Sequence, residues 1–112
     1  MPIEINGKVM AIDAEGYLVD PVDWDDNVAL LLARQEGIEL GEEHWKIIRF
    51  MRNYYDERRI AVDARFVKKL LADELGYGKN AGSRLHELFP YGYVKQACKI
   101  AGMKRPRAWS TG

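Results

Sequence analysis

The stretch from Glu42 to Tyr55 constrains the fold more than any other part of the chain. Trp45, Ile48, Met51 or Arg52, and Tyr55 recur at the three-to-four-residue spacing of one helix face. Ile47, Phe50 and Tyr54 widen that stripe until little of the helix is left for water. So wide an apolar face predicts an almost wholly buried rod at the centre of a helical core, with the other elements packed around it. Glu42 and Glu43 suit its first turn, where carboxylates meet the positive end of the helix dipole.

The flanking sequence supplies those other elements. Ile3 to Ile12 alternates apolar and polar around Asn6-Gly7, the preferred two-residue hairpin turn, and so reads as a short β-hairpin. Glu15-Gly16-Tyr17-Leu18-Val19 adds a turn and a brief extended piece that Asp20-Pro21 stops. Asp23 is the expected N-cap of a helix burying Val28, Leu31 and Leu32 and ended by Gly37. Asp63 caps another, with Phe66, Val67, Leu70 and Leu71 inward and Lys68 and Lys69 outward. A loop at 76–80, a short helix from Ser83 to Phe89 closed by Pro90, and a last helix from Tyr93 to Ala101 complete the chain, Gly102 taking the C-cap. The fold class is mainly α (α+β): a hairpin region at 1–20, a bundle of about five helices at 21–102 and a mobile arm at 103–112. The expected core is Trp24, Leu31, Trp45, Ile48, Phe66, Leu70, Leu85 and Phe89.

A chain of 112 residues holds one domain. It contains no apolar run near the ~20 residues that cross a bilayer, and residues 1–4 do not resemble a signal peptide. One cysteine excludes an intrachain disulfide, so a cytoplasmic monomer without membrane contact is expected. Net charge is zero but divided. Residues 1–57 carry thirteen acids and five bases, a balance of −8; residues 58–112 carry four acids and twelve bases, a balance of +8. Either the halves attract each other within the fold, or the basic half meets an anionic partner.

Few residues offer chemistry. His44 and His86 stand without ligands at metal spacing, and neither a phosphate loop nor a Ser/His/Asp signature is present, so no metal or cofactor is expected. Cys98 is the one nucleophile. Lys95, Lys99, Lys104 and Arg105 around it favour a thiolate, whereas Ala97, Ile100 and Ala101 suit a small apolar core residue. Both readings stay open from the residues alone. The helix pair 63–75 and 81–89 is laid out like a helix-turn-helix, and Arg65, Lys68, Lys69, Lys79 and Arg84 give it a basic face for DNA or protein.

Three segments together resemble the DsrC/TusE family, which includes the gamma subunit of dissimilatory sulfite reductase. They are Glu15-Gly16-Tyr17-Leu18 followed by Trp24, then Glu42-Glu43-His44-Trp45-Lys46-Ile47-Ile48-Arg49-Phe50-Met51-Arg52, and Leu88-Phe89-Pro90-Tyr91-Gly92 running into Lys95-Gln96-Ala97-Cys98-Lys99-Ile100-Ala101-Gly102. The resemblance implies a hairpin packed on a helical bundle with a helix-turn-helix-like element and a mobile C-terminal arm. It also implies sulfur carriage of the sulfurtransferase type. A penultimate cysteine on the arm takes up persulfide sulfur and passes it on, toward tRNA thiolation in TusE members. DsrC members couple it with a second cysteine on the last helix and with sulfite reductase. Cys98 matches that second cysteine, and Arg65 matches an arginine of the basic patch around the arm.

The sequence departs from this pattern at the arm. Eleven residues beyond Cys98, where the carrier cysteine is expected, stands Trp109, followed by Ser110. Neither can hold a persulfide or close a disulfide with Cys98. Tyr93-Val94 also replaces the usual Pro-Ala before Lys95. The expectation is a family protein working by binding relay or sulfite reductase proteins, with inefficient transfer. Its contact surface is expected at Arg65, Lys68, Lys69, Arg84, Lys95, Lys99, Lys104 and Arg105. A carrier using Cys98 alone and a regulatory DNA-binding paralogue are the alternatives.

Overall fold

The computed structural model of the chain describes residues 2–5 and 7–104. Strands β1 (Pro2–Ile5) and β2 (Lys8–Ala11) pair antiparallel, with Pro2 opposite Ala11 and Ile5 opposite Lys8. The alternation along β2 sends Met10 into the core and leaves Val9 in water. The chain then doubles back. The Asp13 carboxylate accepts from the N–H groups of Glu15 and Tyr17, both at 2.9 Å, and Ile12 bridges to Leu18. This turn delivers Tyr17 and Leu18 to the core.

Two caps replace the expected one at Asp23. Asp20 caps a 3-10 turn, Pro21–Asp23, and Asp25 caps α1 (Asp26–Gln35) by accepting from the Val28 N–H at 3.0 Å. Trp24 between them is extended, so the helix restarts two residues later than the acidic pattern suggested. Helix α1 buries Val28, Ala29, Leu32 and Ala33, with Leu31 half-buried.

Helix α2 (Glu42–Arg58) is central but less enclosed than its sequence implied. Ile47, Ile48 and Met51 are fully buried, whereas Trp45, Phe50, Tyr54 and Tyr55 are half-buried and Arg49 and Asn53 face water. Aromatic side chains reach the core boundary here without crossing it, which is why a count of apolar residues overstated the burial. Helix α3 (Ala64–Asp73), capped by Asp63, turns Val67 and Leu71 inward. Phe66 corrects the expected core: it is 43% exposed and stacks on Tyr54, with ring centroids 6.1 Å apart. A 3-10 turn (Gly78–Asn80) leads into α4 (Ala81–Leu88), which starts two residues before the expected Ser83. No helix among the described residues is long and apolar enough to cross a membrane.

The last helical element opens as a wide π turn, Tyr93–Cys98, and its end is held by side chains from distant elements. The Trp24 indole donates to the Ile100 carbonyl at 2.9 Å. The Arg52 guanidinium donates to Ala101 O at 3.2 Å and to Pro21 O at 3.0 Å. These partners satisfy carbonyls that a helix end leaves without intrahelical donors. Gly102 sits against Trp24 at φ 76°. Met103 is buried, so the packed body extends beyond the expected boundary at 102. The rest of the expected arm, from Arg105 through Trp109 to Gly112, lies outside the described residues.

The divided charge is partly consumed between the two halves. Glu36 pairs with Lys99 at 3.3 Å, and Glu43 on α2 pairs with Arg84 on α4. Arg84 also reaches Glu87, and the Tyr77 hydroxyl donates to Glu43. Asp26–Arg49 and Lys69–Asp73 stay within their own halves.

Two outcomes follow from this packing. A Cβ at Gly102 would lie 2.4 Å from the Trp24 ring and would force a left-handed non-glycine residue. Gly102→Ala should therefore cost about 2–4 kcal/mol in urea unfolding, adding overlap to backbone strain. Gly37 has a similar φ of 73° but open space around it, so Gly37→Ala should cost only about 1–2 kcal/mol. Equal losses would show that Trp24 gives way freely. The second outcome concerns acid. Arg84 first, then Tyr77, holds the Glu43 carboxyl below its ordinary 4.5. A depressed carboxyl stabilises the fold above its unfolded pKa, and that stability is lost as pH falls through the folded one. Glu43→Gln should be less stable than wild type at pH 7, and the difference should shrink in unfolding curves taken progressively below pH 4.5. A constant difference would remove this role.

Candidate functional site

The residues around Cys98 are placed by the entry to the last helix. Gly92 has φ 104°, a conformation open in practice to glycine alone, and it turns the chain so that Tyr93 points inward. The Tyr93 hydroxyl donates to the carbonyl of Val62, tying the last helix to the segment before α3. One wide turn later Cys98 lies 0% exposed. Burial pushes its thiol up to about 12, and the hydrogen-bonding Tyr93 hydroxyl offsets only part of that. Burial also raises Tyr93 itself. Desolvation thus works against the neighbouring cations, since it disfavours the charged thiolate in an apolar wall.

The expected help from neighbouring cations does not reach the sulfur. Lys95 is exposed to solvent. Lys99 turns to Glu36 and lies over the Tyr17 ring, its Nζ 5.1 Å from the centroid. Glu36 holds a second residue, because its other carboxylate oxygen accepts from the Gln96 amide at 3.2 Å. The Gln96 carbonyl in turn accepts from the Tyr91 N–H at 2.9 Å, so Gln96 is buried with both ends bonded. Sequence reading missed Glu36 and Gln96. The available signal was two polar residues, Gln96 and Lys99, one helical turn apart on the last helix.

The proposed basic surface is divided by the structure. Arg65 pairs with Asp63 at 3.5 Å, Lys69 with Asp73 at 3.1 Å, and Arg84 with Glu43 and Glu87. Lys99 is committed to Glu36. Lys68, Lys95 and Lys104 are exposed, with no ion pair among the described residues, and Arg105 lies outside those residues. Of the seven described positions, four are thus already paired with acids of this chain. Charges one turn apart on α3 and α4 found acids within reach, and a simple count of bases does not register such pairs.

His44 is structural in this arrangement. Its Nδ1 accepts from the Gly41 N–H at 3.0 Å, so Nε2 carries the proton and donates to Leu88 O at 2.9 Å. Its ring meets Phe89 edge-on at 5.2 Å. Among the described residues no three His, Cys, Asp or Glu side chains gather as metal ligands would. A cavity of about 280 Å³ lies between α3 and α4, with Leu85, Phe89 and Tyr93 among its lining residues. Tyr93 lines this cavity and is also a hydrogen-bonding neighbour of Cys98.

Comparison with known proteins gives one answer at the level of sequence and of fold. The family model described as DsrC like protein matches residues 4–108. The Sulfurtransferase TusE of Pectobacterium atrosepticum is 43% identical over 104 residues, covering 93% of this chain and 95% of that protein. That of Yersinia pestis is 41% identical over the same length and the same shares. The solution structure of Allochromatium vinosum DsrC superposes with a TM-score of 0.84 at 45% identity, over 98% of this chain and 100% of that one. The oxidized gamma-subunit of the dissimilatory sulfite reductase (DsrC) from Archaeoglobus fulgidus also scores 0.84, at 34% identity and the same coverage. A match this long, shared by sequence and fold, makes the chain a member of the DsrC/TusE sulfur-relay family.

Proposed function

We propose that this chain acts in the cytoplasm as a docking member of the sulfur-relay family, engaging relay or sulfite reductase proteins without carrying persulfide on Cys98. The observation that supports this reading most is the condition of Cys98: fully buried beside Tyr93, with its thiol pushed up to about 12. Burial of this kind keeps the thiol in its neutral form at pH 7. Loading would require the thiolate to attack a sulfane sulfur, forming one S–S bond as the donor's S–S bond breaks and its thiolate leaves. Neither the charge nor the access for that attack is present at Cys98 in the folded chain. Trp109 stands where the arm cysteine is expected and offers no acceptor to replace it. Binding to DNA has less support, because Lys69 and Arg84 of the helix-turn-helix-like face are held by Asp73 and Glu43.

The test separates chemistry from docking. Folded protein incubated at neutral pH with iodoacetamide, or with a cysteine desulfurase and its relay proteins, should show little mass gain at Cys98 until denaturant is added. Cys98→Ser should lose about 1–3 kcal/mol of stability, because it buries a more demanding hydroxyl. It should still capture purified relay or sulfite reductase partners as wild type does. Rapid gain of one sulfur, about 32 Da, on folded Cys98 followed by delivery to a partner would restore the carrier reading. Failure of wild type to bind any of these partners would remove the docking one.

A further inference from the structure

The cavity between α3 and α4 has the composition of a receptor for one side chain. Leu85, Phe89 and Tyr93 give it apolar walls, and all three are buried core residues of the bundle. Gly82 and Gly92 keep it open, since neither carries a Cβ to occupy it. Its rim carries the exposed Lys68 ammonium. Lys68 from α3 stretches toward α4, its Cε 4.0 Å from where a Cβ on Gly82 would lie, and His86 stands one turn beyond Gly82 on the same helix face. Lys79 precedes Gly82 by three residues and is likewise exposed. The nearby acids are already engaged, Asp63 by Arg65 and Glu87 by Arg84. The Lys68 charge, with no ion pair among the described residues, is left for something outside the chain.

We infer that this cavity is the docking pocket for an acidic segment of a protein partner, which inserts one apolar side chain between α3 and α4 while its carboxylates meet Lys68 and the rim. The inference rests on the docking reading above and locates it on the molecule. Volume selects the occupant: about 280 Å³ takes one large side chain, near the lower end of ligand-pocket sizes. A buried apolar anchor ringed by polar contacts is also the usual anatomy of a protein interface. Nucleic acid would satisfy the rim charge, but its phosphate backbone brings nothing apolar to fill the cavity.

The probe is a synthetic eight-residue peptide, rich in glutamate and aspartate, with one central phenylalanine. Titrated into ¹⁵N-labelled protein, it should shift the amide signals of Gly82, His86 and Gly92. Affinity should fall with added salt and drop about threefold to tenfold in Lys68→Glu, a rim charge reversal. Gly82→Leu should fill the cavity from a helical position without unfolding the chain, leave thermal stability unchanged or higher, and abolish the shifts. The inference is overturned by no shift at about 5 mM peptide, by equal binding of the peptide with alanine in place of phenylalanine, or by binding that survives Gly82→Leu. A DNA duplex that produces the same shifts at lower concentration overturns it in favour of nucleic acid. Partner capture that is intact in Gly82→Leu sinks this inference alone, whereas loss of capture by wild type sinks the docking reading.

Discussion

The end of the last helix is the constraint on which the rest of this structure depends. A helix terminus leaves carbonyl groups without donors, and here the terminus is packed among other elements where water cannot serve them all. Trp24 and Arg52, from an extended linker and from α2, supply donors to Ile100 and Ala101. A neutral bond of this kind contributes ~0.5–1.5 kcal/mol and a charge-assisted one ~1.5–3 kcal/mol. Their geometric effect exceeds their energy. The same Arg52 holds the Pro21 carbonyl and lies over the Trp24 ring at 4.6 Å, so linker, central helix and last helix are fixed at one point. Partial burial lowers the Arg52 pKa by desolvation. The guanidinium nevertheless keeps its charge at any pH the fold tolerates.

Fixing that point decides the character of Cys98. With Ile100, Ala101 and Met103 all packed inside, Cys98 on the same stretch is held inside with them. The thiol becomes one more small apolar group in a close-packed wall. The same segment keeps its polar members on the opposite side, where Gln96 and Lys99 both meet Glu36. The last helix thus separates a buried sulfur from a bonded polar cluster over a single turn.

Much of the fold was legible because its signals are local. The Asp63 cap, the Gly37 and Gly102 stops and the carboxylates opening α2 each rest on backbone groups within one turn of the residue concerned. The misplaced helix start at Asp23 was also local, a case of Pro21 forming its own turn and leaving Asp25 to cap. What could not be read was anything dependent on a distant partner. Phe66 is apolar and correctly phased for burial, yet the bundle has no more interior at that height and it rests on Tyr54 instead. The cations near Cys98 looked effective in sequence because proximity along the chain resembles proximity in space. Lys99 shows the difference, since Glu36, 63 residues away, claims it. The family was legible for the opposite reason: its motifs combine glycines, aromatics and spacing over the whole chain, so that a few local misreadings leave it intact.

The wide turn at Tyr93–Cys98 carries a consequence for how this helix is phased. Relative to an ordinary α-helix, one residue accommodated within a broadened turn offsets every later side chain by about 100° around the axis. The face on which the sulfur lies is therefore a property of winding, set several residues upstream, and not of the amino acids that touch it. Tyr93 brings to this turn a hydroxyl that can anchor it. In this chain a single side chain, bonded to Val62, acts as an angular reference for the helix that follows it. Which neighbours position 98 meets thus depends on how the turn before it is wound.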